Sequence, residues 1–205
     1  MIFESGSIRW QTITTKIIAA YHELPTITPP CTRRPANLDP IDQSIPWAFF
    51  DGAAQQHGCG GGFILNIIVN HHYKVKMGLG MGTNNFVELI TIRHLMHFAL
   101  NHDCRELQIF WDSNIIINWI NMKSRCHAYT LLNILDEVMH LKAHFNSIIV
   151  SHIYREHNHC ADGLSKEATH IPTGQWIISE QRGNAQYQYF HMPYIDQVYP
   201  RVDDH

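Results

Sequence analysis

From Ile45 onward three short apolar runs, IPWAFFDG, CGGGFILNIIVN and HYKVKMGLG, follow one another with only brief polar or glycine breaks, and no helical periodicity intervenes until the third is over. Strands joined by short breaks are antiparallel neighbours, because a parallel return needs a crossover of a dozen residues or more. The chain is therefore expected to open on a three-stranded antiparallel unit against which everything later must pack. Asn84 and Asn85 then lead a segment in which Leu89, Ile92, Leu95, Met96, Ala99 and Leu100 recur at helical spacing, which predicts a helix over about 85–102 with an Asn cap. ELQIFWDS, about 106–113, has the short apolar character of a central strand, whereas IIINWINM is a helix candidate of ambiguous period. YTLLNILDEVMHLKAHF is helical, NSIIVSHIY is a strand, and NHCADGLSKEA is a short helix after an Asn cap. The order βββαβααβα predicts an α/β domain.

Six of the nine prolines fall within residues 24–46, a composition that punctuates structure and marks a linker. Residues 1–44 are thus expected to form an N-terminal extension, with a short helix candidate at the IIAAY stretch ending at Tyr21, and residues 45–170 the domain. Residues 171–205 carry Gln, Tyr, Pro and His without a sustained period and are expected to be a C-terminal tail. Hydrophobic residues make up 45% of the chain and charged residues 16%, which supplies a core and excludes the disordered class. The five cysteines at 31, 59, 104, 126 and 160 are scattered, as expected of reduced thiols in the cytoplasm or nucleus rather than of a secreted disulfide framework. No apolar run approaches the roughly 20 residues of a membrane span, and the N-terminus lacks a basic region followed by an apolar one. The formal net charge is −3, so any contact with nucleic acid must come from a local basic face or bound metal ions.

Four acids stand at telling places in that order. Asp51 is expected to end the first strand, Glu88 to lie in the first turn of the long helix, Asp112 to end the fourth strand and Asp162 to open the last helix. Each has an ordinary reading taken singly: Asp51 before Gly52 as a turn residue, Glu88 and Asp162 as complements to a helix dipole, Asp112-Ser113 as a helix cap. Glu88, however, shares a helix face with Ile92, Leu95 and Ala99, so its carboxylate follows the buried stripe toward the sheet and needs a partner there. Carboxylates gathered in this way repel one another unless divalent cations occupy the space between them.

FFDGAA, GMGTNNFVELITIRHLMHFAL, LQIFWDS and VSHIYREHNHCADGLSKEA resemble the successive motifs of the ribonuclease H-like domains of plant proteins related to retrotransposon reverse transcriptases, over about residues 45–170. The resemblance implies a ribonuclease H-like mixed five-stranded sheet, with strands 1–3 antiparallel, strands 4 and 5 parallel to strand 1, and helices on its flanks. It also implies a metal-dependent endonuclease that hydrolyses the RNA strand of RNA–DNA hybrids. By position in the motifs, Asp51, Glu88, Asp112 and Asp162 would hold two Mg²⁺ or Mn²⁺ ions, with Asp51 bridging, Glu88 and Asp112 on one ion and Asp162 on the other. His152 matches the family's histidine in the loop before the last acid, which assists proton movement or product release. Gly52, Asn84, Asn85, Ser113 and Asn158 are the expected substrate contacts. The implied partner is nucleic acid, with no membrane, a monomeric state and a past fusion to a reverse transcriptase.

The other motifs are structural by the same reasoning. His140 and His144 are spaced i, i+4, but HLKAH lacks the Glu of a zinc-protease helix. Gly60–Gly62 is followed by no Lys-Ser or Lys-Thr and reads as relief of crowding rather than as a phosphate loop. Two alternatives stay open: a non-catalytic nucleic-acid-binding relic of a retroelement, and an integrase-like nuclease on the same fold.

Overall fold

A computed structural model of the chain describes residues 41–191. Within them the strands are β1 (Trp47–Gln55), β2 (Gly58–Ile68), β3 (His71–Gly80), β4 (Glu106–Trp111), β5 (Ser147–His152), β6 (Trp176–Arg182) and β7 (Ala185–His191). The helices are α1 (Asn84–Asn101), α2 (Asn114–Ile120), α3 (Tyr129–Lys142) and α4 (His159–Ala168), with a 3₁₀ turn at Arg155–His157. The expected N-terminal extension, apart from its last few residues, and the end of the tail lie outside the described residues.

The strands form one mixed sheet in the order β5-β4-β1-β2-β3-β6-β7. β1, β2 and β3 pair antiparallel in sequence order, while β1 with β4 and β4 with β5 are parallel. The expected ribonuclease H-like topology is therefore present, but in a sheet of seven strands rather than five. The difference lies beyond residue 171, in the stretch expected as an aperiodic tail. β6 pairs antiparallel with β3 and β7 with β6. β6 does alternate, with Trp176, Ile178 and Glu180 buried and Ile177 and Ser179 half-exposed, but the acid at the third inward position breaks the apolar pattern. Glu180 is satisfied there by His71 at 2.8 Å, Tyr73 at 3.1 Å, Arg182 at 3.0 Å and Tyr189 at 3.1 Å, as a buried charge must be.

The cap of α1 falls one residue before the expected Asn. Thr83 has the extended backbone of a cap and accepts from the backbone N–H of Phe86, so Asn84 and Asn85 are the first two helical residues. Leu89, Ile92, Leu95 and Ala99 are fully buried against the sheet, and α3 packs beside α1. Successive residues of a strand face opposite sides, and β2 uses three glycines in a row to bring helices close on both. A Cβ on Gly61 would strike Thr91 of α1, whereas one on Gly62 would lie 2.5 Å from the backbone N of Ser165 in α4 and one on Gly60 2.5 Å from Ala168. The glycines expected to relieve crowding thus do so on the two faces at once, and set α4 directly over β1 and β2.

Candidate active site

Three of the four acids come from strands and helices that meet where β4 ends. The parallel register aligns Trp47 with Gln108 and Phe49 with Phe110, so continuing it two residues sets Asp51 level with Asp112. Asp51 does not end its strand as expected. β1 runs on to Gln55 because its antiparallel partner β2 continues after β4 has stopped, so Asp51 lies at the end of the parallel pairing only. Asp112 is the first residue past β4, and Ser113 caps α2 by backbone geometry without a side-chain hydrogen bond. Glu88 lies in the second turn of α1 rather than the first, since no acid occupies the first turn. Asp162 is in the first turn of α4, as expected.

Hydrogen bonds hold two of these carboxylates from behind. Asn158, only 1% exposed, donates its amide to the carbonyl oxygen of Phe50 at 3.0 Å and to Asp112 Oδ1 at 3.3 Å. It therefore spends its amide nitrogen on the protein, and it caps α4 without a side-chain bond. The Ser165 hydroxyl donates to Asp51 Oδ2 at 3.0 Å. Asp162 is held differently: Arg155 reaches Oδ1 at 3.2 Å and Lys166 Nζ reaches Oδ2 at 2.6 Å.

The electrostatics follow from burial and proximity. Burial pushes the Glu88 carboxyl up to about 8, with the charges of Asp51 and Asp112 adding to it. Burial likewise raises Asp51 to about 6, against the Ser165 hydrogen bond and with Asp112 and Asp162 contributing. Burial works to raise Asp162 too, but the hydrogen bonds and charges of Lys166 and Arg155 outweigh it and hold that carboxyl below its usual range. Glu88 Oε2 and Asn158 Oδ1 are buried with no hydrogen-bond partner among the described residues.

A buried, unpartnered carboxylate oxygen beside two further carboxylates is a hard, anionic oxygen donor set that suits Mg²⁺ or Mn²⁺. The residues fit such an ion in chemistry. In their present positions, no group of three or more His, Cys, Asp or Glu side chains among the described residues is drawn together tightly enough to hold one.

The remaining expected residues are more dispersed. His152 is not in a loop: it is the last residue of β5, exposed, with its ring against Tyr154. The space beside Gly52, expected to admit substrate, is filled by the backbone of α1, because a Cβ there would lie 2.8 Å from Glu88 N. Asn84 is exposed and Asn85 half-buried at the start of α1. Ser165, Arg155 and Lys166 were not anticipated, although the first and last stand three and four residues after Asp162, one helical turn away. His140 and His144 make a local contact, with a His144 ring nitrogen at 3.0 Å from the His140 carbonyl oxygen.

The family model described as reverse transcriptase-like matches residues 49–168. Among solved structures, ribonuclease H1 of Halobacterium salinarum NRC-1 is 21% identical with a TM-score of 0.55, covering 60% of this chain and 96% of that one. The N-terminal RNase H domain of a Mycobacterium tuberculosis protein is 19% identical with a TM-score of 0.55, covering 60% and 92%. A compost-derived RNase H1, solved in complex with an RNA/DNA hybrid, is 21% identical with a TM-score of 0.51, covering 60% and 96%. No curated protein matches. No helix among the described residues is long and apolar enough to cross a membrane.

Proposed function

The chain belongs to the reverse transcriptase-like family and carries the ribonuclease H fold, and on that premise we propose that it is a metal-dependent endonuclease that hydrolyses the RNA strand of RNA–DNA hybrids. The observation that carries the reading is the buried Oε2 of Glu88 beside Asp51 and Asp112: no donor among the described residues satisfies that oxygen, and a cation would.

Asp51, Glu88, Asp112 and Asp162 would hold two Mg²⁺ or Mn²⁺ ions, which when bound activate water and stabilise the departing oxygen of a phosphodiester. The residues around them prepare that task. Ser165 keeps Asp51 in one orientation, and Asn158 ties Asp112 to the backbone of β1, so the two carboxylates facing each other across β1 and β4 are set before any ligand arrives. Glu88, whose carboxyl burial holds up at about 8, would have to be deprotonated to ligate an ion. His152, exposed at the end of β5, is placed to exchange protons with solvent. Asn84, Asn85 and Ser113 offer polar groups for sugar and phosphate, so that recognition rests on the 2′-hydroxyl and the backbone more than on base sequence. A binding module without cleavage is favoured by one observation, the pairing of both Asp162 oxygens with cations of the chain itself.

Digestion of labelled RNA–DNA hybrid, single-stranded RNA and duplex DNA side by side with Mg²⁺ or Mn²⁺, with Asp112→Asn as the control for contaminating nuclease, tests the reading. RNA cut within the hybrid, and only by the unmodified protein, is the expected result. Equal cutting of duplex DNA would move the protein to the integrase-like nucleases, and no metal-dependent cutting at all would leave the binding module.

A further inference from the structure

The two edges of the sheet are finished differently. At β5 the edge is covered: α2 packs on the strand, and Asn121 donates its side-chain amide to the Val150 carbonyl oxygen at 3.0 Å. At the opposite edge β7 pairs with β6 in an unbroken register from Ala185 to His191, and among the described residues nothing pairs with its outer side. Sheets discourage further pairing at an edge with charged side chains, proline or a bulge. β7, AQYQYFH, has no Lys, Arg, Asp, Glu, Pro or Gly, and its register has no bulge. Its side chains from Ala185 to Phe190 are exposed, Phe190 by 80%. Tyr187 and Tyr189 stand on one face with their ring planes 16° apart and their centroids 6.5 Å apart.

We propose that the outer edge of β7 pairs antiparallel with β7 of a second copy of this chain, so that one sheet runs through a symmetric dimer. The inference does not depend on the nuclease reading, and it replaces the monomeric state that the resemblance implies. In a two-fold interface, residue i meets residue j and j meets i. The register centred on Gln188 is the one that pairs the whole strand from Ala185 to His191. It sets Gln188 against the partner's Gln188, Tyr187 against the partner's Tyr189 and Gln186 against the partner's Phe190. Tyr187 and Tyr189 then continue into the same two rings of the second copy, and such cross-strand aromatic pairs stabilise a sheet. Charge permits the pairing, because the strand has no acid or Lys or Arg to set like against like. The chain's own residues 192–205 suit that edge less well. They include Pro193 and Pro200, which have no N–H to give, and Asp196, Arg201, Asp203 and Asp204. Pro193 also cannot take the positive φ of a type I′ turn, which a tight return from His191 would use. The acids stay uncovered, since β2, β3 and β6 separate β1 from β7, roughly 19 Å at the usual strand spacing. One strand pair of this length is at the small end of stable interfaces, so a dissociation constant on the order of micromolar is expected.

Sedimentation equilibrium of the full chain over roughly 1–100 μM tests the proposal, with Gln188→Lys, Gln188→Glu and an equal mixture of the two. Gln188 is exposed, so these substitutions leave the fold in place. The unmodified protein passes from monomer to dimer in that range. Each charged variant sets like charges against each other on the two-fold axis and raises the dissociation constant about tenfold or more, and mixing them restores the dimer. Cysteine substitution reads the register: under mild oxidation Gln188→Cys crosslinks to its own copy, whereas Gln186→Cys stays at the level of the unmodified protein. A monomer at every concentration would overturn the proposal, as would a dimer that Gln188→Lys leaves unchanged or equal crosslinking of the two cysteine variants. Hydrogen exchange separates the remaining occupant. Outward β7 amides that gain protection as concentration rises support the second copy, and amides already protected in a monomer would give the edge to residues 192–205 and overturn it.

Discussion

The Ser165 hydroxyl lies 3.0 Å from Asp51 Oδ2, joining residues 114 positions apart, and the same hydroxyl is 2.9 Å from the Asp162 carbonyl oxygen on its own helix. One proton serves two acceptors, and an ionised Asp51 is the stronger claimant. Because that bond favours the charged form of Asp51, Ser165→Ala moves its ionisation further upward from about 6 and weakens divalent-ion binding below neutral pH. Carboxyl-carbon NMR through a pH titration reads the shift directly. An unmoved Asp51 titration would mean that the hydroxyl serves only the helix.

Glu88 makes the unliganded protein sensitive to alkali in a defined window. Its folded-state value of about 8 lies above the 4.5 of an unperturbed glutamate, so between those limits the folded protein binds more protons than the unfolded chain. The stability this contributes is full below about 4.5 and is lost as pH rises through about 8. Glu88→Gln removes the dependence and stabilises the metal-free protein near pH 8 by on the order of 2 kcal/mol. Urea unfolding of both proteins across pH 5 to about 9 checks it, and parallel curves would show that Glu88 is not buried in solution.

Two glycines of the site region should respond oppositely to alanine. A Cβ on Gly62 would sit 2.5 Å from Ser165 N and 2.7 Å from Leu164 Cβ, so Gly62→Ala pushes α4 off the sheet and costs about 1–3 kcal/mol. Gly163, inside α4, has nothing within 4 Å of a built Cβ, and Gly163→Ala stabilises by about 0.5–1 kcal/mol. Thermal melts of the two variants decide the matter by the sign of the shift.

Residues 45–170 expressed alone should not fold cooperatively. They lack Trp176 and Ile178, which are buried against β3 and α1, with the Trp176 ring 4.9 Å from His94 and 6.5 Å from Phe63. Removing two such side chains forfeits roughly 3–6 kcal/mol, most of a typical domain's margin. A sharp melting transition for the fragment would show that β6 and β7 are appended rather than integral.

The parts of the fold that could be read from sequence are those whose periodicity is set by burial on one side. Leu89, Ile92, Leu95 and Ala99 declared α1, and the same phase placed Glu88 toward the sheet. Asp51 and Asp112 could be located along the chain because each directly follows an apolar run. What stayed hidden depends on partners distant in sequence. Glu180 looks like a surface residue until His71, Tyr73 and Tyr189 are seen around it, so β6 read as tail. The bond from Asn158 to the Phe50 carbonyl stayed hidden because nothing in its neighbourhood reveals that this oxygen lies within reach. The length of β1 was misjudged because Asp-Gly resembles a turn, whereas β2 carries the pairing past it.

The strand order has a kinetic side. β3 lies against β6, so that His71 meets Glu180 109 positions later, and Asn158 reaches back 108 positions to Phe50. Contacts of such sequence separation require long loops to close before any stabilisation is returned, which places a domain of this kind among the slower folders. On a ribosome the hairpin strands and α1 emerge well before β6, and the backbone edge of β3 from His71 to Met77 waits unpaired until it arrives. The acids, drawn from positions 51 to 162, come together only once almost the whole described region has been synthesised, so a nascent chain holds its cluster of negative charge apart until the framework that must bear it is complete.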